Sequence, residues 1–183
     1  MNLANRITFF RIVCIPAVIV AVVLHSPEFP TMGLVAGAVY VVAAVSDWVD
    51  GFVARRYNQR SKLGALMDPL ADKLLVNLTL VFLAVNPHFA TPVPLWVPPL
   101  LVLRDGLITG GAYWVDKRWG PLQVKPRVMG KLSTVVQAVA VPAILFEVSF
   151  AGPLLWLMVA LAVVSCVDYG VAIVRDVRSK DAG

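Results

Sequence analysis

The sequence predicts an all-α integral membrane protein with six transmembrane helices. Of the 183 residues, 59% are hydrophobic and 15% are charged, with a mean hydropathy of +0.80; soluble domains carry about 25% charged residues. Period-2 alternation, the pattern of strands, is absent. A helix needs ~20 residues to cross a bilayer, and six apolar stretches come close to this length: 7–24, 32–54, 66–86, 95–115, 132–150 and 153–174.

The first apolar stretch is preceded by a segment of mixed polarity, residues 2–10. Leu3, Ile7 and Phe10 would share one side of a helix there, which predicts a short amphipathic helix in the membrane interface. Cys14 and Cys166 fall inside apolar stretches, so we expect small apolar side chains rather than a disulfide. No linker or repeat divides the sequence, and we expect one domain over residues 1–183.

The distribution of basic residues predicts the membrane topology. The 25–31, 87–94 and 149–153 connections contain no Lys or Arg, as is typical of outer loops. Both termini are then cytoplasmic. The net charge of +5 is explained by cytoplasmic segments that face anionic lipids and phosphate-bearing substrates, so no nucleic-acid partner is expected. Apart from Arg104, which lies within the fourth apolar stretch, the basic residues lie in or beside the cytoplasmic segments: Arg6, Arg11, Arg55, Arg56, Arg60, Lys62, Lys73, Lys117, Arg118, Lys125, Arg127, Lys131, Arg175, Arg178 and Lys180.

Four aspartates lie near the cytoplasmic ends of the second and third stretches. Asp47 and Asp50 are three residues apart, and Asp68 and Asp72 are four apart, so each pair shares one helix face. Carboxylates at the membrane are costly and are seldom left without a partner. Carboxylate oxygens in this number suit Mg²⁺, Mn²⁺ or Ca²⁺. The alternative is that they are helix-end charges paired with nearby arginines.

Small residues and an arginine accompany the aspartates. Gly51, Ala54 and Gly64 leave room for a bulky group against the backbone, although close helix packing is an alternative explanation. Arg55 can bind a phosphate from the same helix end.

Together these residues resemble a known family signature. Eight residues at fixed spacing match, without a departure, the signature of the CDP-alcohol phosphotransferase family: Asp47-x2-Asp50-Gly51-x2-Ala54-Arg55-x8-Gly64-x3-Asp68-x3-Asp72. The resemblance implies a homodimeric enzyme with six membrane-spanning helices and two divalent cations, Mg²⁺ or Mn²⁺. Such an enzyme transfers a phosphatidyl or similar group from a CDP-linked donor to an alcohol and releases CMP.

The resemblance also implies roles for the individual residues. Asp72 would act as the general base as well as a metal ligand, and two metals would bridge the diphosphate of the donor. The expected metal ligands are Asp47, Asp50, Asp68 and Asp72. The expected donor-binding residues are Gly51, Ala54, Arg55 and Gly64.

Candidate acceptor residues lie on the fourth and fifth stretches. Arg104 is costly in lipid, so we expect it to face the bundle interior and to pair with Asp105 or Asp168; a purely structural ion pair is the alternative. Lys125, Arg127 and Lys131 cluster at the cytoplasmic entry to the fifth stretch, where ordinary cytoplasmic charge is the alternative.

The fifth stretch also carries a polar stripe. Lys131, Thr134 and Gln137 recur every three residues. With Arg104 and the basic cluster, this stripe favours an anionic, hydroxyl-bearing acceptor such as glycerol 3-phosphate.

Two branches of the family fit the acceptor region. The Gly130-Lys131-x2-Thr134-x2-Gln137 pattern and Ser46-Asp47-Trp48 resemble the branch that uses glycerol 3-phosphate. The Arg104-Asp105 pair and the VKPR segment resemble the branch that joins CDP-diacylglycerol to phosphatidylglycerol to make cardiolipin.

We favour transfer from CDP-diacylglycerol to glycerol 3-phosphate, giving phosphatidylglycerophosphate, in a bacterial cytoplasmic membrane or an organelle inner membrane. A divalent-cation carrier is a further alternative, but carriers usually place their sites at the bilayer midplane between repeats.

Overall fold

The computed structural model describes residues 3–57, 62–119 and 128–181, and the secondary structure in these ranges is helical. This confirms the all-helical class and the helix number for the described part of the chain. Two helices contain segments long and apolar enough to cross a bilayer, Val128–Leu145 and Ala151–Arg175, and two shorter apolar segments are Phe10–Leu24 and Thr31–Ser46. The six helices are α1 (Leu3–Leu24), α2 (Thr31–Tyr57), α3 (Lys62–Val85), α4 (Val97–Trp119), α5 (Val128–Leu145) and α6 (Ala151–Asp181).

The N-terminal segment forms no separate helix. α1 runs without a break from Leu3 to Leu24 and passes through Pro16, so the expectation of a separate interfacial helix was wrong. No Gly or Pro precedes Pro16, so no residue favours a break between the N-terminal segment and the rest of the helix.

α5 ends at Leu145, earlier than the apolar stretch predicted. Glu147 has φ 52°, the left-handed conformation. The N–H of Val148 donates to the Ala143 carbonyl at 3.1 Å, and the N–H of Glu147 donates to the Ile144 carbonyl at 3.0 Å. These two bonds form a Schellman motif, which satisfies the last carbonyls of a helix. Because the left-handed residue is Glu rather than Gly, the sequence carried little signal for this end.

The core of the bundle combines large apolar side chains with small and polar ones, and many other large apolar side chains are exposed on the outer surface. α1 packs on α2 and α3, and α6 packs on α4 and α5. Ala36, Ala43, Ala140 and Ala162 are fully buried. Buried polar or charged side chains are Arg11, His25, Thr79, Arg104, Ser133, Gln137 and Ser165. Large apolar side chains at least half exposed include Val13, Val20, Val42, Leu70, Leu103, Val135 and Val167.

Candidate active site

A cavity of about 300 Å³ lies between α2, α3, α4, α5 and α6. Tyr40 and Ala44 line it from α2, and Tyr169 lines it from α6. Its other polar lining comes from three helices, and it includes Asp72, Lys73, Asn77, Arg104, Asp105, Thr109, Lys131, Thr134 and Gln137. Two carboxylates and three cations therefore border one space.

Asp72 is the predicted metal ligand whose side chain the structure describes. It is partly buried on α3 and lines the cavity. Asp47 and Asp50 lie on α2 and Asp68 lies on α3, so the helical backbone places each pair on one face, as the spacing predicts.

Several other predicted residues lie outside the described side chains. These are Asp47, Asp50, Asp68, Gly51, Ala54, Arg55 and Gly64. Lys125 and Arg127 lie wholly outside the described residues. Among the side chains that are described, no three His, Cys, Asp or Glu residues form a group. The metal and donor sites therefore stay predictions.

Arg104 is held inside the bundle by two neighbours. Its side chain is 8% exposed, and Nη1 donates to Asp105 Oδ1 at 2.7 Å. Of the two acids considered from the sequence, Asp105 is therefore a partner. Nε donates to Ser165 Oγ on α6 at 2.9 Å. The other carboxylate oxygen of Asp105, Oδ2, lies 3.5 Å from Lys73 Nζ, so one carboxylate holds two cations.

Within the described residues, the guanidinium of Arg104 has N–H donors without a hydrogen-bond partner. Arginine has five N–H groups, and within the described part of the chain two of them make hydrogen bonds. The three that remain belong to a buried cation that borders the cavity. A planar guanidinium of this kind suits an anion with two oxygens to offer, such as a phosphate.

α5 supplies the polar stripe expected from its spacing. Lys131, Thr134 and Gln137 all line the cavity, and Gln137 is 8% exposed. Beside them, Gly130 lies against Tyr169: a Cβ built on Gly130 would be 3.1 Å from the Tyr169 ring. The glycine therefore lets the aromatic ring of α6 lie close to α5 at the cavity wall.

Sequence reasoning missed several residues here. Asn77 lines the cavity, and its Oδ1 is buried with no hydrogen-bond partner in the described part of the chain. It lies about 7.5 Å along the helix axis from Asp72 at ~1.5 Å per residue. A polar residue in the apolar run of α3 was a usable signal. The sequence offered no such signal for Ser165, because a serine in an apolar helix is usually explained by close helix packing.

Comparison with known proteins identifies the family. The sequence model of the CDP-alcohol phosphatidyltransferases matches residues 1–164. The chain belongs to the CDP-alcohol phosphatidyltransferase family. This confirms the family inferred from the aspartate signature and favours a transferase over a cation carrier.

Similar proteins of this family come from bacteria. The CDP-diacylglycerol–glycerol-3-phosphate 3-phosphatidyltransferase of Salmonella choleraesuis is 31% identical over 87% of each chain. The Escherichia coli K12 protein of the same name is also 31% identical over 87% of each chain. A probable phosphatidylglycerophosphate synthase of Mycobacterium tuberculosis is 32% identical and covers 96% of this chain and 83% of its own. These names agree with the glycerol 3-phosphate acceptor that the sequence favours over phosphatidylglycerol.

Proposed function

We propose that this chain transfers the phosphatidyl group of CDP-diacylglycerol to a hydroxyl of glycerol 3-phosphate. The products are phosphatidylglycerophosphate and CMP. The observation that carries this proposal is that Asp72, Arg104 and Lys131 border one cavity of about 300 Å³. An acceptor with a hydroxyl and a phosphate needs a carboxylate to take a proton and cations to bind the phosphate.

Each of these three residues has its own role in the proposed reaction. Arg104 and Lys131 bind the acceptor phosphate, and Asp72 takes the proton of the attacking hydroxyl. The acceptor oxygen then bonds to the phosphorus of the phosphatidyl group. The bond from that phosphorus to the bridging oxygen breaks, and CMP leaves with the electron pair.

Two divalent cations fit the donor set. The helical spacing on α2 and α3 puts each pair of aspartates on one face, and hard carboxylate oxygens suit Mg²⁺ or Mn²⁺. We propose Asp47, Asp50, Asp68 and Asp72 as the ligands, and Gly51, Ala54, Arg55 and Gly64 as the donor-binding residues. When bound, the metals would polarise the diphosphate and stabilise the leaving CMP.

We place the enzyme in the bacterial cytoplasmic membrane, with all six helices crossing the bilayer and both termini cytoplasmic. The exposed valines and leucines and the buried arginines support this, because lipid favours apolar side chains outside and polar side chains inside. The active site then lies towards the cytoplasmic face, where glycerol 3-phosphate is available and the donor keeps its acyl chains in the bilayer. As the family resemblance implies, we propose a homodimer.

An acceptor assay tests the function. Purified protein with CDP-diacylglycerol and Mg²⁺ should release CMP and form phosphatidylglycerophosphate when glycerol 3-phosphate is supplied. A product formed only from phosphatidylglycerol would overturn the proposal in favour of cardiolipin synthesis. If neither glycerol 3-phosphate nor phosphatidylglycerol supports the release of CMP, both proposed functions are ruled out.

A further inference from the structure

Among the hydrogen bonds of the described residues, the one to Arg104 joins Ser165 to the lining of the candidate site. Ser165 lies on α6 and is fully buried, and it is not one of the residues that line the cavity. It belongs to no part of the aspartate signature. Its hydroxyl nevertheless lies 2.9 Å from Arg104 Nε.

The hydrogen bonds of Ser165 have a defined direction. Its Oγ–H donates to the Ala162 carbonyl at 3.1 Å. Its proton is thereby engaged, and a lone pair of the same oxygen accepts the Nε–H of Arg104. The two hydrogen bonds are compatible with one orientation of the hydroxyl, so the side chain of Ser165 is restrained while it accepts the bond from Arg104.

Hydrogen bonds at two different nitrogens restrict the orientation of the guanidinium. Ser165 holds Nε and Asp105 holds Nη1, and Lys73 in turn lies 3.5 Å from the other oxygen of Asp105. Because a guanidinium is planar, these two bonds, together with its covalent attachment to Cδ, restrict its orientation at the cavity.

We propose that Ser165 is a positioning residue that orients Arg104 to bind the phosphate of the acceptor. Ser165 itself does not touch the acceptor. The inference rests on the proposed function, because it requires Arg104 to bind that phosphate. It adds to the acceptor site a residue of α6 that does not line the cavity and that the sequence motifs did not include.

Removing the hydroxyl tests the proposal. Ser165→Ala should raise the KM for glycerol 3-phosphate about 10-fold, the effect of one hydrogen bond to a charged group, and should leave the KM for CDP-diacylglycerol unchanged. Ser165→Thr keeps the hydroxyl and should restore most of the acceptor affinity. Ser165→Cys keeps a side chain of similar volume, but its sulfur is only a weak hydrogen-bond acceptor, so the KM for glycerol 3-phosphate should stay raised. This variant replaces Ser165→Ala in the test if the alanine variant does not fold.

Ser133→Ala is a matched control. Ser133 is also fully buried, and its Oγ has no hydrogen-bond partner in the described part of the chain. The same change of size there should leave both KM values unchanged. Equal increases in both serine variants would mean that lost packing, not the bond to Arg104, causes the effect.

A double-mutant cycle separates positioning from general structure. Lysine lacks the Nε–H group that Ser165 binds in arginine. In an Arg104→Lys background, Ser165→Ala should therefore raise the KM for glycerol 3-phosphate by less than about 2-fold. A further 10-fold increase in that background would overturn the proposal.

Failure of the inference and failure of the proposed function give different results. If the wild type makes phosphatidylglycerophosphate but Ser165→Ala leaves the acceptor KM unchanged, only the role of Ser165 is refuted. If the wild type uses phosphatidylglycerol instead, the proposed acceptor is refuted. The same cycle measured with that phosphate-bearing acceptor then decides the role of Ser165.

Discussion

The backbone N–H of Gly33 donates a 3.1 Å hydrogen bond to Nδ1 of His25, which joins the start of α2 to the loop after α1. His25 is 3% exposed, and its ring stacks on Phe89 at 4.2 Å. Its Nε2 lies 3.6 Å from Glu147 Oε1, and the same oxygen accepts the N–H of Ala90 at 2.8 Å. One buried imidazole thus connects the three loops at the end of the bundle opposite the aspartates.

Gly33→Ala should destabilise the protein. A Cβ at Gly33 would lie 3.1 Å from both His25 Nδ1 and the Leu145 carbonyl oxygen, so the added methyl must displace the ring or the backbone. We expect a loss of ~1–3 kcal/mol, typical of overpacking, visible as a lower Tm in detergent. Gly152→Ala is the control, because no atom lies within 4 Å of a Cβ there. An unchanged Tm for Gly33→Ala would contradict the close packing of α2 on this loop.

Activity should depend on a divalent cation. Four carboxylates at one end of two consecutive helices need positive charge to balance them, and the proposed ligands are Asp47, Asp50, Asp68 and Asp72. A chelator should abolish CMP release, and Mg²⁺ or Mn²⁺ should restore it. Full turnover in a preparation shown by elemental analysis to be metal-free would refute the two-metal proposal.

Asp72→Asn should separate catalysis from donor binding. The amide cannot take a proton, so turnover should fall by ~10²–10⁴, the usual contribution of a general base. Binding of CDP-diacylglycerol should persist, since the other three carboxylates remain. Asp50→Asn is the comparison, and it should lose both turnover and donor binding. Asp72→Asn with more than a few per cent of wild-type turnover would assign the base elsewhere.

Lys131→Ala should weaken acceptor binding specifically. Lys131 lines the cavity that Arg104 also borders, although its side chain is exposed. We expect the KM for glycerol 3-phosphate to rise about 10-fold, at ~1.4 kcal/mol per decade, with the KM for CDP-diacylglycerol unchanged. Lys117→Ala removes an exposed lysine of the last turn of α4 that does not line the cavity. If both variants raised the acceptor KM equally, long-range charge rather than contact would be responsible.

The sequence by itself determined the features that depend on neighbouring residues. Apolar length and helical spacing predicted six helices and the shared face of each aspartate pair, because the period of a helix is a local property. The signature from Asp47 to Asp72 also sufficed to identify the family.

Only the tertiary structure decided which side chains meet across helices. From the sequence, Asp105 and Asp168 were both candidates as partners of Arg104. The structure shows Asp105 at Nη1, and the packing of α4 on α6 brings Ser165 to Nε. His25 likewise lies in a connection between two helices, and only the packing of three loops shows that its side chain is buried. Such contacts depend on the rotation and depth of each helix in the bundle, which are set by the packing of all the helices together rather than by the residues adjacent in sequence.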